Sequence, residues 1–324
     1  MNRRFIIKSV AVALALTAFS GLASRPALAI DDLRIIAPAK PGGGWDQTAR
    51  ALEETMKAAG QAKSVAVENV AGAGGTVGLA QLVDKEKGNG NVLMVSGLVM
   101  VGAVLTNKSP ATLDMVTPIA RLTGEYEVVV VPAASELKTM GDLAARMKAD
   151  AGAVAIGGGS AGGTDHIVAG LIAKSVGADL TKLNYVPFSG GGEALAAILG
   201  GHVAAGISGY SEWEGQIKAG ELRVLGITAP ARVDGIDAPT LKEQGIDVEL
   251  ANWRGILAAP GIDDAAKAAL IDAVGATVKS DGWQKVLADK KWTDLYLAGD
   301  DFAALIKVEN ERTTEILKTI GLVQ

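Results

Sequence analysis

The chain of 324 residues carries 31 Lys and Arg against 36 Asp and Glu, which gives a formal net charge of −5. Because its basic residues are scattered along an acidic chain, it is a poor candidate for binding nucleic acid or an anionic lipid surface. It has no cysteine and two distant histidines. This composition excludes disulfides, thiolate catalysis, a lipid-modified N-terminal cysteine and a cysteine or histidine metal site. We therefore expect no metal and no cofactor.

The first 29 residues have the pattern of an export signal. A basic start with Arg3 and Arg4 is followed by an uncharged apolar run over residues 10–23 and by Ala27-Leu28-Ala29, the small-x-small pattern after which signal peptidase cuts. The alternative is an uncleaved anchor helix, but the run is shorter than the roughly 20 apolar residues of a membrane span, which favours a cleaved signal. Cleavage after Ala29 leaves 27 basic against 36 acidic residues, and we expect a soluble mature protein in the periplasm. The choice between the secretory and the twin-arginine route stays open.

Short β-rich runs alternate with helical patterns along the chain, which is typical of parallel sheets covered by helices. The helix after the first strand has Asp46 as its predicted N-cap and Gly60 as its end, with Leu52 and Met56 on its apolar face. Further helices are predicted over 265–279, 283–289 and 301–320. The predicted strands are 33–37, 65–70, 92–96, 128–131, 154–157, 183–186, 203–208, 222–228 and 256–259.

The two halves of the chain repeat one order of strands, glycine clusters and helices. In the first half, the clusters are Gly42-Gly43-Gly44 and Gly74-Gly75, and the third strand ends at Ser96-Gly97. In the second half, they are Gly157-Gly158-Gly159 with Gly162-Gly163, then Gly190-Gly191-Gly192, and the third strand ends at Ser208-Gly209. This repeat predicts an α/β fold with two similar parallel-sheet lobes.

The tail from residue 231 does not continue this order of strands, glycine clusters and helices, and we expect it to pack back on the first lobe. The predicted organisation is a signal peptide over 1–29, lobe one over 30–128 and 231–324, and lobe two over 129–230. Two crossings, near 128–132 and near 228–230, would form a hinge between the lobes. Lobes that are joined by such a hinge close around a ligand in the cleft between them.

The glycine clusters lie where ligands bind in open parallel sheets, beyond the carboxyl ends of the strands. Glycine lets the backbone approach a ligand closely. The free N–H groups of a helix start carry about half a positive charge and suit an anion. For any one cluster the alternative is a tight turn with a packing role alone. Four clusters at matched positions favour the binding of a multiply charged carboxylate.

Two enzyme classes are alternatives to a binding protein. Gly158-Gly159-Ser160-Ala161-Gly162 fits the nucleophile elbow of a serine hydrolase, but the only histidine further along, His202, falls at the start of a strand, at the opposite edge of the sheet. With Gly157 added, the stretch Gly157-Gly158-Gly159-Ser160-Ala161-Gly162 fits a dinucleotide-binding fingerprint, but Asp179 precedes the next strand instead of ending it. We therefore predict that the protein is not an enzyme.

Single side chains around the clusters have two interpretations each. We expect Asp46 to fix its own loop, since a bare carboxylate repels an anionic ligand, and we expect Arg50 and Arg254 to pair with acidic groups of the protein. Thr164 either caps the following helix or turns its hydroxyl to the ligand. His166 either donates a hydrogen bond to a carboxylate or packs. Trp45, at a loop tip beside three glycines, is predicted to face the cleft.

The motifs together resemble a known family. Pro41-Gly42-Gly43-Gly44-Trp45-Asp46, Asn69-Val70-Ala71-Gly72-Ala73-Gly74-Gly75, Gly162-Gly163-Thr164-Asp165-His166, Phe188-Ser189-Gly190-Gly191-Gly192 and Asn252-Trp253-Arg254-Gly255 are similar to the solute-binding component of tripartite tricarboxylate transporters. The likeness covers essentially the whole mature chain. It implies a two-lobed Venus-flytrap fold that holds a carboxylate through loop backbone, hydroxyls and water.

The resemblance further implies a periplasmic receptor that delivers its ligand to one large and one small membrane subunit. A di- or tricarboxylate is the expected ligand, with citrate as the first candidate, and the receptor is expected to be a monomer. A receptor that presents its ligand to a membrane sensor kinase is the alternative. The candidate ligand-binding residues are Pro41, Gly42, Gly43, Gly44, Trp45, Asp46, Gly74, Gly75, Ser96, Ser160, Gly162, Gly163, Thr164, His166, Ser189, Gly190, Gly191 and Ser208.

Overall fold

The computed structural model describes residues 30–324, so the predicted signal over 1–29 lies outside the described residues. The described chain alternates strands and helices. The strands are β1 (Ile30–Ala37), β2 (Ala62–Asn69), β3 (Val92–Gly97), β4 (Thr117–Pro132), β5 (Ile156–Gly158), β6 (Tyr185–Pro187), β7 (Ala205–Gly209), β8 (Leu222–Ile227), β9 (Ala251–Ala258) and β10 (Thr293–Ala298). The helices are α1 (Gly44–Ala58), α2 (Thr76–Lys85), α3 (Leu98–Thr106), α4 (Met140–Ala149), α5 (Thr164–Ser175), α6 (Gly191–Leu199), α7 (Tyr210–Lys218), α8 (Asp264–Val278), α9 (Asp281–Lys290) and α10 (Gly299–Thr319).

The two halves share one strand order. In the first, β1 lies between β2 and β3, and all three strands are parallel. In the second, β5 lies between β6 and β7, again in parallel. The repeated architecture predicted from the glycine clusters is confirmed, and the fold is a two-lobed α/β fold. Each parallel core is extended by antiparallel strands, which the sequence patterns did not predict: β9 joins β3, and β4 joins β7.

Strand β4 carries the chain from one lobe to the other. Its 16 residues pair with β9 as far as Tyr126 and with β7 from Glu127 onward. The return path runs from β8 to β9, and along it Thr240 still bridges to Ile227 of β8 while Leu250 donates its N–H to Thr228 O. The lobe boundaries drawn from the sequence stay a prediction, and we propose that the return crossing falls near residue 250.

From β9 onward, the tail packs on strands and helices of the first half of the chain. Strand β9 pairs with β3, and helices α8 and α9 both contact α1. The three helices predicted for the tail are confirmed, whereas β10 was not predicted. Within residues 30–324, no helix is both long and apolar enough to cross a membrane.

Candidate ligand-binding cleft

The cleft forms where helix starts from both lobes face each other. The turns after β1 and β2 lead into α1 and α2, and the turns after β5 and β6 lead into α5 and α6. Between them lies a cavity of about 360 Å³ that is lined by all four turns. This volume falls in the range of pockets that hold a small molecule.

The first turn is held from behind by Asp46. Its carboxylate accepts hydrogen bonds from Gly42 N–H at 2.9 Å and from Asn69 Nδ2 at 2.9 Å, and it pairs with Arg50 at 3.0 Å. The prediction that Asp46 fixes its loop is confirmed. The prediction that it is the N-cap is wrong, because α1 begins at Gly44 with Gly43 as N-cap. Gly43 and Gly44 of this turn line the cavity.

Trp45 lies in the first turn of α1 and only 6% of it is exposed. Its ring packs on Gly75, where any Cβ would collide with it. The predicted position at a loop tip is therefore wrong, since Trp45 lies within α1 and its ring is packed against the second glycine turn. Trp45 nevertheless lines the cavity. It therefore belongs both to the hydrophobic core and to the wall of the cleft.

The turn after β5 is held by residues of α5 and β6. Gly159 N–H donates to Asp165 Oδ2 at 2.5 Å, and Tyr185 donates its hydroxyl to Gly159 O at 2.7 Å. Gly162 N–H donates to His166 Nδ1 at 3.2 Å, and the imidazole stacks on the Tyr185 ring at 4.0 Å between centroids. Burial lowers the pKa of His166 to about 4, so the imidazole is neutral and supports the turn from behind.

Most of the predicted residues line the cavity, and a smaller set does not. Those that line it are Gly43, Gly44, Trp45, Gly74, Gly75, Ser160, Gly163, Thr164, Ser189, Gly190, Gly191 and Ser208. The residues that lie away from it are Pro41, Gly42, Asp46, Ser96, Gly162 and His166. Direct contact of the lining residues with a ligand stays a prediction.

The displaced residues have structural roles. Pro41 and Gly42 form the exposed side of a turn in which Gly42 has a φ of +89°. Ser96 is buried and donates its hydroxyl to Met100 Sδ. Gly162 is buried against Thr106 of α3. These positions lie away from the cavity: Pro41 and Gly42 face solvent, whereas Ser96 and Gly162 face the protein interior.

The floor of the cleft contains an ion pair. Arg254 of β9 is 1% exposed and donates from Nη2 to Glu125 Oε2 at 2.5 Å, while Glu212 Oε1 lies 3.9 Å from the same nitrogen. The guanidinium also lies over the Trp292 ring, 5.1 Å from its centroid, where the ring's electron-rich face favours a cation. The expected pairing of Arg254 with an acid of the protein is confirmed. Arg254 also lines the cavity, which was not predicted.

Four carboxyl groups surround this one guanidinium. Glu125 and Glu127 come from β4, Asp165 from α5 and Glu212 from α7, and all four are buried or nearly so. Burial raises the pKa of Glu212 to about 8, although Arg254 opposes this shift, and it raises the pKa of Asp165 to about 6. Burial and the neighbouring negative charges raise the pKa of Glu127 well above its usual range. Part of this cluster therefore holds protons at neutral pH.

Several buried polar atoms of the lining residues have no hydrogen-bond partner within residues 30–324: Thr164 Oγ1, Asn252 Oδ1, Arg254 Nη1 and Glu212 Oε2. A buried polar group without a partner costs about 1–3 kcal/mol. The N-cap of α5 is Gly163, so the capping role considered for Thr164 is wrong. Donors and acceptors therefore remain free beside the cavity.

The two lobes touch each other around the cavity. Lys40 pairs with Glu193 of α6, and Thr106 Oγ1 of α3 lies 3.4 Å from Ala161 O. Gly102 of α3 packs on the backbone of Gly162 so closely that it leaves no room for a Cβ. The lobes are therefore closed over the cleft.

The serine of the elbow-like motif lies in this cleft. Ser160 follows β5 and lines the cavity, as its place between a strand and a helix predicts. In the described part of the chain, its hydroxyl makes no hydrogen bond to a histidine. His202 is exposed in the turn before β7, at the amino end of that strand. The geometry of a serine hydrolase triad is not assembled among these residues.

The charged residues of the cleft were largely missed by the sequence patterns. Glu193 and Glu212 stand in the first turns of helices, where acidic residues are common for reasons of helix stability. Asp165 and Asn252 belong to motifs that resemble the family, but neither was predicted to bind the ligand. Asn107 also lines the cavity, and no spacing pattern separates it from ordinary loop residues.

Two α/β lobes of one strand order, joined by crossing strands and closed over a cavity, define a two-lobed solute-binding protein. Solved structures with this fold match most of the chain. The periplasmic binding protein BugD has a TM-score of 0.81 and 22% identity over 90% of this chain and 98% of its own. MatC from Rhodopseudomonas palustris, solved with bound malate, has a TM-score of 0.79 and 23% identity over 89% and 99%. An R. palustris protein solved with adipate has a TM-score of 0.83 and 21% identity over 90% and 97%.

The chain belongs to the tripartite tricarboxylate transporter family receptors, whose profile matches residues 48–322. Relatives include BugT of Bordetella pertussis, 27% identical over 99% of both chains. A UPF0065 protein of Agrobacterium vitis, from the TAR-I ttuE-ttuC' intergenic region, is 30% identical over 80% of this chain and 73% of its own. The resemblance inferred from the motifs is confirmed, and members of this family are periplasmic solute-binding proteins.

Proposed function

We propose that this protein is a periplasmic receptor for a di- or tricarboxylate, with citrate as the first ligand to test. The observation that carries the proposal is the convergence of glycine-rich helix starts from both lobes on one cavity. Such helix starts present free N–H groups and suit an anion. Two structural neighbours were solved with bound malate and with adipate, which supports the choice of small carboxylic acids.

The side chains beside the cavity are also suited to a carboxylate. Thr164 Oγ1 and Arg254 Nη1 are donors without a partner within residues 30–324, and Ser160, Ser189 and Ser208 add hydroxyls. A carboxylate is an acceptor for each of these groups. Binding by fixed backbone and hydroxyl donors, with one guanidinium at the floor, fits a receptor that must later release its ligand.

We propose that residues 1–29 are a signal peptide, and that the mature chain is a monomer that passes its ligand to one large and one small membrane subunit. Presentation of the ligand to a membrane sensor kinase is the second candidate. Pull-down of solubilised membrane proteins with the liganded receptor separates the two: recovery of permease subunits supports transport, whereas recovery of a kinase supports sensing.

A thermal shift panel tests the carboxylate proposal. A ligand at a hundred times its dissociation constant stabilises the folded state by about 2.7 kcal/mol, which for a chain of this size raises the melting temperature by roughly 5–10 °C. We expect such a shift with citrate, malate or adipate. If no mono-, di- or tricarboxylate raises the melting temperature, the proposal is wrong. Labelling of Ser160 by a serine-directed phosphonate would instead favour a hydrolase.

Thr164→Val tests the hydroxyl at the start of α5. Because hydrogen bonds to charged groups contribute about 1.5–3 kcal/mol, we expect the affinity for the ligand to fall by roughly 10- to 150-fold. The ligand-free stability should hold, since the hydroxyl has no partner within residues 30–324 to lose. Calorimetric titration measures the affinity.

The matched control is Thr277→Val, which changes a buried threonine in α8 whose Oγ1 donates to Ala273 O at 2.8 Å. We expect this control to bind normally and to lose some stability. Equal affinity of Thr164→Val and the wild type would contradict a ligand contact at Thr164.

A further inference from the structure

Glu212 occupies the point where the two lobes meet beneath the cavity. Its carboxyl faces the N–H of Gly44 at the start of α1. On the other lobe it packs on Gly191 at the start of α6, beside the hydroxyl of Ser208, so closely that a Cβ at Gly191 would collide with Oε2. Only 9% of the Glu212 side chain is exposed. This carboxyl therefore lies among groups that line the cleft on both sides.

Within residues 30–324, the nearest cation to Glu212 is Arg254, which Glu212 shares with Glu125. The nearest guanidinium nitrogen, Arg254 Nη2, is 3.9 Å away and donates to Glu125 at 2.5 Å. Glu212 Oε2 has no hydrogen-bond partner within residues 30–324. The charged groups that face Glu212 are Glu125 and Glu127 of β4, Asp165 of α5 and Arg254 of β9.

An ionised carboxylate in this position is costly. Burial of a charge without a partner costs several kcal/mol, and a group in this position takes up a proton instead. The pKa of Glu212 is accordingly raised to about 8, mainly by burial.

We infer that Glu212 holds a proton when the ligand binds and donates its O–H to a carboxylate of the ligand, so that affinity depends on that proton. The inference rests on the proposed function, because it takes the ligand to be a carboxylate. It makes Glu212 a specificity-determining residue. Protonated, Glu212 favours a carboxylate beside it, whereas ionised it repels one.

The sign of the pH dependence follows from this arrangement. A ligand carboxylate beside Glu212 stabilises the protonated form further, so the bound state keeps the proton to a higher pH than the free state. Affinity is then constant below the pKa of the free protein, which is about 8. Above that pH it falls by up to about tenfold per pH unit, because each binding event must take up one proton.

Calorimetric titration with malate or citrate, from about pH 6 to pH 9.5, tests the inference. For the wild type we expect a flat affinity up to about pH 8 and a loss of about tenfold per unit above it. In buffers of different ionisation enthalpy, close to one proton should be taken up at the upper end. Glu212→Gln carries a fixed donor of the same shape, so we expect it to bind at all pH values without this loss.

The matched control is Glu214→Gln, the same substitution two residues further along α7. Glu214 pairs with Lys218 at 2.7 Å and does not line the cavity, so this control should keep the wild-type pH profile. A wild-type affinity that stays constant to pH 9.5 would overturn the inference. An equal slope in Glu212→Gln would overturn it as well.

The melting temperatures of the ligand-free proteins give a second measurement, which separates this inference from the proposed function. A proton that the folded state holds on Glu212 makes the protein less stable as the pH rises toward 8. His166, with its pKa near 4, and Asp165, with its pKa near 6, act mainly at lower pH. Between about pH 6.5 and pH 8 we expect the wild-type melting temperature to fall by about 3–6 °C.

The melting temperature of Glu212→Gln should fall less over the same pH range. In this variant, of these two carboxyl groups only Glu127 still holds a proton that stabilises the folded state. If no carboxylate binds but this difference is found, the proposed function fails while the proton on Glu212 stands. If carboxylates bind and the difference is absent, the inference fails and the proposed function stands.

Discussion

Replacement of Arg254 by methionine is expected to lower the free energy of unfolding by about 3–5 kcal/mol near pH 8, the range for removing one partner of a buried ion pair. Arg254 is 1% exposed and is the only cation among the charged groups that surround Glu212 in the described chain. Methionine fills much of the same volume, so the effect is electrostatic more than a matter of packing. Chemical denaturation at several pH values measures the loss.

The loss should shrink as the pH falls. Without the guanidinium the pKa values of Asp165 and Glu212 rise further, since Arg254 lowers both. A carboxyl with a raised pKa in the folded state costs nothing below its unfolded pKa, near 4, and costs most above its folded pKa. We therefore expect Arg254→Met to approach wild-type stability near pH 4.5 and to differ most from it near pH 8.

Two further variants make this result specific. Arg223→Met removes an arginine of β8 that donates only to the backbone carbonyls of Ala133, Ser135 and Leu137, so its loss should not depend on pH. The double variant Arg254→Met with Glu125→Gln removes one uncompensated charge and should regain part of the stability. A loss in Arg254→Met that is equal at pH 4.5 and pH 8 would contradict the electrostatic account.

The sequence predicted those parts of the fold that are encoded locally. Glycine clusters after β-rich runs marked the turns that lead into α1, α5 and α6, and their recurrence predicted two lobes of one strand order. The signal is local because a turn that exposes backbone N–H groups needs glycine at that very position. Gly42, for example, has a φ of +89°, which side-chain-bearing residues rarely adopt.

The charged residues at the floor of the cleft, Arg254 and the carboxyl groups around it, could not be predicted in the same way. Glu125 lies in a segment with other polar residues, and its burial is stabilised by Arg254, 129 residues away, which supplies a cation. The glycines beside Trp45 in the sequence indicate a loop tip, yet Trp45 is buried and its ring packs on Gly75 in the turn before α2. In both cases the deciding partner is distant in sequence, and periodicity and spacing carry no information about it.

The binding prediction with the largest expected effect concerns the contact between the lobes. Gly102, inside α3, lies against the carbonyl oxygen of Gly162, and a Cβ there would be far inside van der Waals distance of that oxygen. Because the obstacle is backbone, no rotamer change relieves it. Gly102→Ala should therefore prevent the lobes from closing to this distance while it leaves the core of each lobe intact.

We expect Gly102→Ala to weaken ligand binding by about 5- to 150-fold, which corresponds to the 1–3 kcal/mol that overpacking costs. The matched control is Gly215→Ala, which also changes a glycine inside a helix but has open space around the added Cβ. In both variants alanine favours the helix by up to about 1 kcal/mol, so a loss of binding in Gly102→Ala alone cannot come from helix propensity.

Small-angle X-ray scattering of the liganded proteins should give a larger radius of gyration for Gly102→Ala than for the control. Equal affinities and equal radii would show that the α3 contact is not part of the ligand-bound state, and that the donors of the two lobes reach the ligand without this approach.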